Sequence, residues 1–181
     1  MNKHTIVTLL ATSIVALFVS ACTTAGGEEW TTHSSETLGI SVDIPNEWVF
    51  KEENGELMIA DSEANLDAQN ISTGVGIVMQ SESLETMGVE TMQELLDFFM
   101  GFMTAEAPVE VVDEAQTVTI NNLEAAQARV RGEIEGQNGT FTMAFIDKGD
   151  GEAILALFVD ATVTGDSTAT IDQILQSVKT N

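Results

Sequence analysis

The segment "AILALFV", residues 153–159, constrains the fold more than any other part of the sequence. Side chains of an extended strand point alternately to its two sides, and in this segment both sides are apolar. One side carries Ile154, Ala156 and Phe158, and the other carries Leu155, Leu157 and Val159. A strand that is apolar on both sides has to be covered on both sides. The sequence therefore predicts an α+β fold, in which helices flank both faces of a mostly antiparallel β-sheet.

Turn signals between the apolar segments predict antiparallel hairpins. "GISVDIP" alternates apolar and polar residues, which is typical of a half-buried strand, and it ends at Pro45. Asn54-Gly55 predicts a two-residue hairpin turn before "LMIAD". "GVGIVMQ", which begins at residue 74, is predicted to be a further strand. Asn121-Asn122 precedes the long predicted strand "LEAAQARVRGEIE", and a Gly-rich turn at 148–151 separates the predicted strands "TFTMAFID" and "AILALFVDAT".

Two segments have the periodicity of amphipathic helices. The first is predicted over residues 89–103, where apolar residues recur at helical spacing with acidic residues among them. The second lies near the end of the chain, with Ser167 or Asp166 as its predicted N-cap. Its apolar residues follow the spacing i, i+3, i+4 and i+7: Ile171, Ile174, Leu175 and Val178.

The start of the chain has the layout of an export signal. Lys3 precedes an uncharged stretch over 5–19 and two small residues. The ending Val19-Ser20-Ala21-Cys22 resembles the lipobox of bacterial lipoproteins, in which the signal is cleaved before a diacylglyceryl-modified cysteine. This resemblance implies a signal peptide over 1–21, a lipidated Cys22 with a short tether over 22–29, and one domain over 30–181. An ordinary signal peptide and a signal-anchor helix are the alternatives.

Cysteine count and charge limit the classes of partner. Cys22 is the only cysteine, so a single chain forms no disulfide. The formal net charge is −23, and loss of residues 1–21 with Lys3 makes it 5 − 29 = −24. So acidic a chain repels nucleic acid, whose binding requires neutralisation of phosphates by Lys and Arg. We therefore expect a lipid, and not the protein surface, to hold the chain at a membrane outside the cytoplasm. Thr23 follows the cysteine, so lipoprotein sorting rules imply the outer membrane in a host with two membranes.

Three stretches together resemble the PsbP-like domain over residues 30–179: "LGISVDIPNEWVF", "TINNLEAAQARV" and "ILQSVK". The resemblance implies an α/β/α sandwich used for docking. The plant member is an extrinsic subunit of the photosystem II oxygen-evolving complex, and a eukaryotic relative of the fold binds the Ran GTPase. The family supplies no catalytic motif to this sequence. His33 is the one histidine after the predicted signal, so the metal-binding histidines proposed in photosynthetic members are missing.

Acidic loops are the candidates for a metal site. "DSEANLD" carries Asp61, Glu63, Asn65 and Asp67 at alternate positions, as in the calcium loop of an EF-hand. Leu66 stands where that loop requires Gly, and Ser72 stands where it requires a bidentate Glu. An ordinary acidic loop is the alternative. No Ser or Cys lies in a recognisable nucleophile motif. We therefore expect the protein to have no enzymatic activity and to bind no cofactor other than calcium.

Aromatic and basic residues supply the candidate partner contacts. One helix face cannot bury every apolar side chain of "FFMGFM", so Phe98 and Phe102 are predicted to form an exposed apolar strip. Arg129 and Arg131 are predicted to share one face of a strand with Glu133 and Glu135, either as partner contacts or as members of cross-strand charge pairs. The sequence thus favours a membrane-anchored docking module for a protein in the cell envelope. An envelope lipoprotein that binds a small ligand or a divalent cation is the alternative.

Overall fold

The fold is built from two antiparallel sheets and four helices within the residues described by the computed structural model. These are residues 29–181 except 69, 150 and 163–166, so the predicted signal, Cys22 and most of the tether lie outside them. The strands are β1 Trp30–Ser35, β2 Ile40–Pro45, β3 Val49–Glu53, β4 Glu56–Ala60, β5 Val75–Ser83, β6 Glu110–Ile120, β7 Leu123–Ile134, β8 Gln137–Gly149, β9 Glu152–Asp160 and β10 Lys179–Thr180. The helices are α1 Glu63–Leu66, α2 Leu84–Met87, α3 Met92–Glu106 and α4 Thr168–Ser177.

The seven-stranded sheet has the order β3-β4-β5-β9-β8-β7-β6, and every pair of neighbours in it is antiparallel. Its hairpins turn where the sequence predicted: Asn54 and Gly55 have φ values of 55° and 88°, and Asn121 and Asn122 have φ values of 50° and 69°. Positive φ at both central residues is the geometry of a type I′ turn. The prediction of an α+β fold with mostly antiparallel strands is confirmed.

A second sheet, of order β1-β2-β10, was not predicted. The chain leaves β2 at Pro45 through a tight turn, in which the Trp48 N–H donates to the Pro45 carbonyl at 2.9 Å. After this turn β3 pairs with β4, and β2 stays in the small sheet. One contact between the two sheets is made by His33 on β1 and Phe50 on β3, whose ring centroids are 3.9 Å apart.

Two apolar clusters use alternate residues of the same large-sheet strands. On β9, Ile154, Ala156 and Phe158 belong to one cluster, whereas Ala153 belongs to the other. The first cluster also contains buried residues of the small sheet and of α4. The second contains residues of α3 together with Met143 and Phe145 of β8. We call the side with Phe158 the covered face and the side with Leu157 the open face.

Both long helices lie close to their predicted positions. Thr91 caps α3 by accepting a hydrogen bond from the Glu94 N–H at 3.1 Å. Ser167 occupies the N-cap position of α4, but its side chain makes no capping hydrogen bond there, and the alternative cap, Asp166, lies outside the described residues. None of the helices in the described part of the chain has the length and apolar character needed to cross a membrane.

Candidate functional site

An apolar strip on the open face is left uncovered by α3. This helix packs over β6, β7 and β8, so the same face of β4, β5 and β9 has no helix of that length above it. Strand register aligns Met58, Val78, Leu157 and Met143 in one row across four neighbouring strands. Val78 is 37% exposed and Leu157 is 39% exposed. Central strands that were expected to be fully covered therefore present apolar side chains to solvent.

This strip is the floor of a groove of about 780 Å³, which we call the open groove. Its first wall is the C-terminal half of α3, with Phe99, Phe102 and Met103. Its second wall is α1 and the loop after it, with Leu66 and Ile71. The lining is mainly apolar, and a volume of this size is within the range of ligand-binding pockets, roughly 300–1,000 Å³.

Hydrogen bonds within the chain hold the loop wall in position. The Asp61 carboxylate accepts from the Asn65 side-chain amide at 2.6 Å and from the Val75 N–H at 2.9 Å. Gln137, at the start of β8, donates to the Ile71 carbonyl at 2.7 Å and accepts from the Ile71 N–H at 2.5 Å. Ile71 Cδ1 lies where a side chain on residue 76 would begin, so Gly76 allows the loop to approach the sheet closely. The second wall is thus fixed at both of its ends.

Aromatic side chains form the helical wall and extend it outwards. Phe99 lies in the groove and packs against Phe145, with the ring centroids 5.2 Å apart and the rings tilted by 34°. Phe98 meets Phe99 edge to face at 5.7 Å. Phe98 and Phe102 are 62% and 61% exposed, so the strip predicted from the spacing of these residues is exposed in the structure. Because Phe102 also lines the groove, the strip and the groove form one apolar surface.

Acidic side chains surround the open groove. Glu56 and Glu82 lie two residues from Met58 and Gln80 on the same strands, and therefore on the same face, while Glu135 lines the groove itself. On β3, Lys51 pairs with Glu53 at 2.7 Å. The hydrogen bond and the charge of Lys51 lower the pKa of the Glu53 carboxyl, and Glu53 in turn raises the pKa of Lys51. Apart from Lys51, which is paired with Glu53, the charged side chains named around the groove are all acidic.

The residues of the predicted calcium loop are divided between different structural roles. Asp61 orders the loop, whereas Glu63 and Asn65 belong to the single turn of α1, and Asp67 is its C-cap. Across the described residues, no group of three or more His, Cys, Asp or Glu side chains is arranged to hold a metal ion. Calcium binding at this loop stays a prediction.

The two arginines have different surroundings. The Arg129 side chain is 11% exposed and pairs with Asp113 at 3.0 Å and with Asp172 of α4 at 2.8 Å, and it also donates to Thr142 at 3.0 Å. Arg131 is exposed and donates to Thr140 at 3.3 Å. Both arginines lie on the covered side of β7, away from the groove. Of the two interpretations of Arg129, a partner contact or a member of a cross-strand charge pair, its pairing with Asp113 on the neighbouring strand fits the second.

The prediction that Glu135 shares their strand face is wrong. β7 ends at Ile134, and Glu135 has a φ of 50°, which places it in the turn before β8. The chain reverses there, and Glu135 lines the open groove on the other side of the sheet.

The sequence did not identify the groove floor. Leu157 lies in a segment that is apolar on both sides, and this pattern alone does not distinguish a covered strand from one with an open side. Val78 shares its side of β5 with Gly76 and Gln80, so no apolar pattern indicates that side. Leu66 at the end of α1 and Ile71 in the loop after it belong to no periodic apolar pattern in the sequence. The sequence contained one indication of an uncovered surface. Its strands carry more apolar residues than two helices of 15 and 10 residues can cover on both sides of a seven-stranded sheet.

Comparison with known proteins identifies the fold. No protein-family model matches the chain, and no curated protein matches it significantly. The solution structure of the cyanobacterial PsbP protein (CyanoP) of Synechocystis sp. PCC 6803 is similar, with a TM-score of 0.58 and 14% sequence identity, over 90% of this chain and 99% of that one. The crystal structure of PA94, a Pseudomonas aeruginosa protein of unknown function, has a TM-score of 0.51 and 11% identity, over 82% of this chain and 94% of that one. The chain has a PsbP-like fold.

Proposed function

We propose that this protein is a lipid-anchored lipoprotein of the cell envelope that docks a protein partner through the open groove and has no catalytic activity of its own. The observation that carries the proposal is the apolar surface formed by Phe98, Phe102, Val78 and Leu157, all of which are more than a third exposed. Contiguous exposed apolar surface of this kind is characteristic of interaction sites.

The resemblance to a lipobox supports the anchor, and the length of the tether limits how far the domain lies from it. Cys22 lies seven residues before Glu29, and an extended chain of that length reaches about 25 Å. A lipid on Cys22 therefore keeps the domain beside the bilayer. Strand register places the start of the domain near one end of the groove. Trp30 pairs with Pro45, and the following strand begins at Val49, which lies in one row with Gly76 and Phe141 of the groove lining.

The arrangement of the helices is part of the proposal. α4 contributes to the cluster on the covered face and α3 to the cluster on the open face, which supports the α/β/α sandwich implied by the resemblance to PsbP-like domains. In that family the sandwich serves docking. In the present chain the proposed docking surface is the open groove beside α3, with its acidic surroundings.

Mass spectrometry of the protein purified from its native membrane tests the anchor. We expect the mature chain to begin at Cys22 and to carry a diacylglyceryl group on its sulfur. An unmodified Cys22 thiol, or a chain that retains residues 1–21, would contradict the anchor without affecting the groove.

Photo-crosslinking in intact cells tests the groove. A benzophenone amino acid at position 102, in the groove wall, should give one discrete protein adduct, and the same amino acid at position 50, on the other side of the sheet, should not. Val78→Asp in the floor should abolish the adduct from position 102. Val112→Asp is the matched control, because Val112 is similarly exposed, at 40%, and lies outside the groove lining. An adduct that survives Val78→Asp would remove the groove from the proposal.

Binding of a small apolar ligand is the second candidate function. It is favoured by the groove volume of about 780 Å³ and by the mainly apolar lining. Native mass spectrometry of the chain released from its membrane distinguishes the two candidates. A small molecule that copurifies with the wild type and is lost in Val78→Asp would favour the ligand, and its absence together with a protein adduct would favour docking.

A further inference from the structure

We propose that the occupant of the open groove is a basic amphipathic α-helix of the partner, with its apolar face on the β-strands and its Lys or Arg side chains toward the acidic surroundings. This inference rests on the proposed docking function and specifies the chemistry of the partner at the same site.

The width of the open strip fits a helix. Strands within a sheet are about 4.8 Å apart, so β4, β5 and β9 together span about 10 Å, which is the diameter of an α-helix with short side chains, about 10 Å. α3 already packs on the neighbouring strands of the same face. A second helix beside α3 would extend the same helix-on-sheet layer and cover Val78 and Leu157.

The hydrogen bonding of the floor also favours a helix over an extended peptide. β4, β5, β9 and β8 each have a hydrogen-bonded neighbour on both sides, so the floor offers no unpaired strand edge. An extended peptide laid on it would bury main-chain groups without partners, which is unfavourable. A helix satisfies its own main chain and presents only side chains, as in other helix-in-groove complexes.

The charge around the groove selects a basic helix. Glu53, Glu56, Glu82 and Glu135 lie on the groove side of the sheet, and Asp67 lies beside the loop wall. Lys51 is the single cation on this side in the described part of the chain, and it is paired with Glu53. An apolar helix flanked by Lys or Arg gains attraction from this field, whereas an acidic helix is repelled. The same field disfavours an anionic lipid headgroup over the groove.

Peptide binding to the full chain in phosphatidylcholine nanodiscs tests the inference, with empty nanodiscs as the background. The probe is a fluorescent helical peptide whose apolar face is Leu and whose polar face is Lys. We expect saturable binding that falls at least tenfold when Glu replaces Lys in the peptide, and that weakens as salt is raised. Phe102→Asp and Val78→Asp should each weaken binding of the Lys peptide at least tenfold, and Val112→Asp should leave it unchanged.

A charge exchange separates loss of the site from loss of the fold. The double variant Glu56→Lys with Glu82→Lys should bind the Glu peptide more tightly than the wild type does and the Lys peptide less tightly. A misfolded protein cannot acquire this reversed preference. Equal binding of both peptides by the wild type, or an unchanged preference in the double variant, would overturn the inference.

A lipid occupant is the competing outcome. Phosphatidylcholine with a photoactivatable acyl chain, in the same nanodiscs without peptide, should label no groove residue. Labelling of Phe102 or Leu157 that the Lys peptide does not displace would identify an acyl chain as the occupant and overturn the helix. Failure of the peptide test alongside a groove-dependent protein adduct in cells would reject the helix and keep docking. Absence of any groove-dependent adduct would reject docking itself.

Discussion

The two faces of the seven-stranded sheet have nearly the same apolar content but different cover. Residues of the small sheet and of α4 belong to the apolar cluster on the covered face, and Ile77 and Phe158 in that cluster are almost completely buried. α3 lies over part of the open face, and Val78 and Leu157, the next residues along those strands, remain more than a third exposed. Neighbouring residues of one strand therefore serve different purposes. One side stabilises the domain, and the other side is available for binding.

The largest expected effect comes from truncating a side chain on the covered face. Phe158→Ala should lower the free energy of unfolding by about 3–5 kcal/mol, because it removes a fully buried ring and leaves a cavity. Leu157→Ala, one residue away on the open face, should cost less than about 1.5 kcal/mol, since much of the leucine is already in water. Urea unfolding followed by circular dichroism measures both values. Equal losses would mean that the open face is covered in solution, for example by self-association.

The charge cluster on the covered side gives the next effect. Arg129→Ala should destabilise by about 2 kcal/mol, because Arg129 makes charge-assisted hydrogen bonds that join β6, β7, β8 and α4. The two carboxylate partners are about half exposed, at 45% and 48%, and can turn to water when the arginine is lost, which limits the cost. Arg131→Ala is the control and should stay within about 0.5 kcal/mol, as for other exposed positions. Urea unfolding of both variants measures the difference, and similar losses would contradict a structural role specific to Arg129.

Changing the loop wall of the groove should affect stability about as much as Arg129→Ala does, and it should also have a specific effect on binding. Gly74 has a φ of 100°, and a Cβ on it would overlap the side chains of Asp61 and Asn65. Gly74→Ala should therefore cost more than the roughly 1–2 kcal/mol of a left-handed alanine alone, unless the loop moves to relieve the overlap. If it moves, stability falls less and the crosslink from position 102 weakens.

Gly88→Ala is the matched control for this wall. Its φ is 71°, and no atom lies within 4 Å of the added Cβ, so it carries the backbone strain without the overlap. Thermal unfolding and the crosslinking assay together compare the two variants. Identical results in both measurements would mean that the position of the loop does not depend on the contact between Gly74 and Asp61.

The sequence was sufficient to predict the main hairpins and the two long helices, but not the short helices α1 and α2, the strands β1 and β10, or which parts of the sheet are covered. Hairpins depend on local turn chemistry, as at Asn54-Gly55 and Asn121-Asn122, and amphipathic helices depend on local spacing, so both could be predicted. The separate small sheet depends on which strand β2 pairs with, a long-range choice that no local pattern encodes. The groove depends on where α3 lies across the sheet. Phe98 and Phe102 could be predicted as exposed from their helix alone, whereas Val78 and Leu157 could not, because their exposure depends on the position of another element.

The smallest expected effect concerns the one ion pair on the groove side of β3. Because Lys51 lowers the pKa of the Glu53 carboxyl in the folded state, this pair stabilises the fold above the unfolded-state pKa of Glu53, and the contribution is lost as the pH falls through the lower folded-state value. Lys51→Ala should return the pKa of Glu53 toward its ordinary value, with little change in stability, because exposed pairs contribute little. NMR titration of the Glu53 side-chain carboxyl carbon measures the shift, and the Lys148–Glu152 pair, at 2.7 Å, is the internal reference because its lowered Glu152 pKa should not change. In the Lys51→Ala protein, a bound basic helix should lower the pKa of Glu53 again. If the Lys peptide leaves this pKa unchanged, Glu53 takes no part in the acidic surroundings of the open groove.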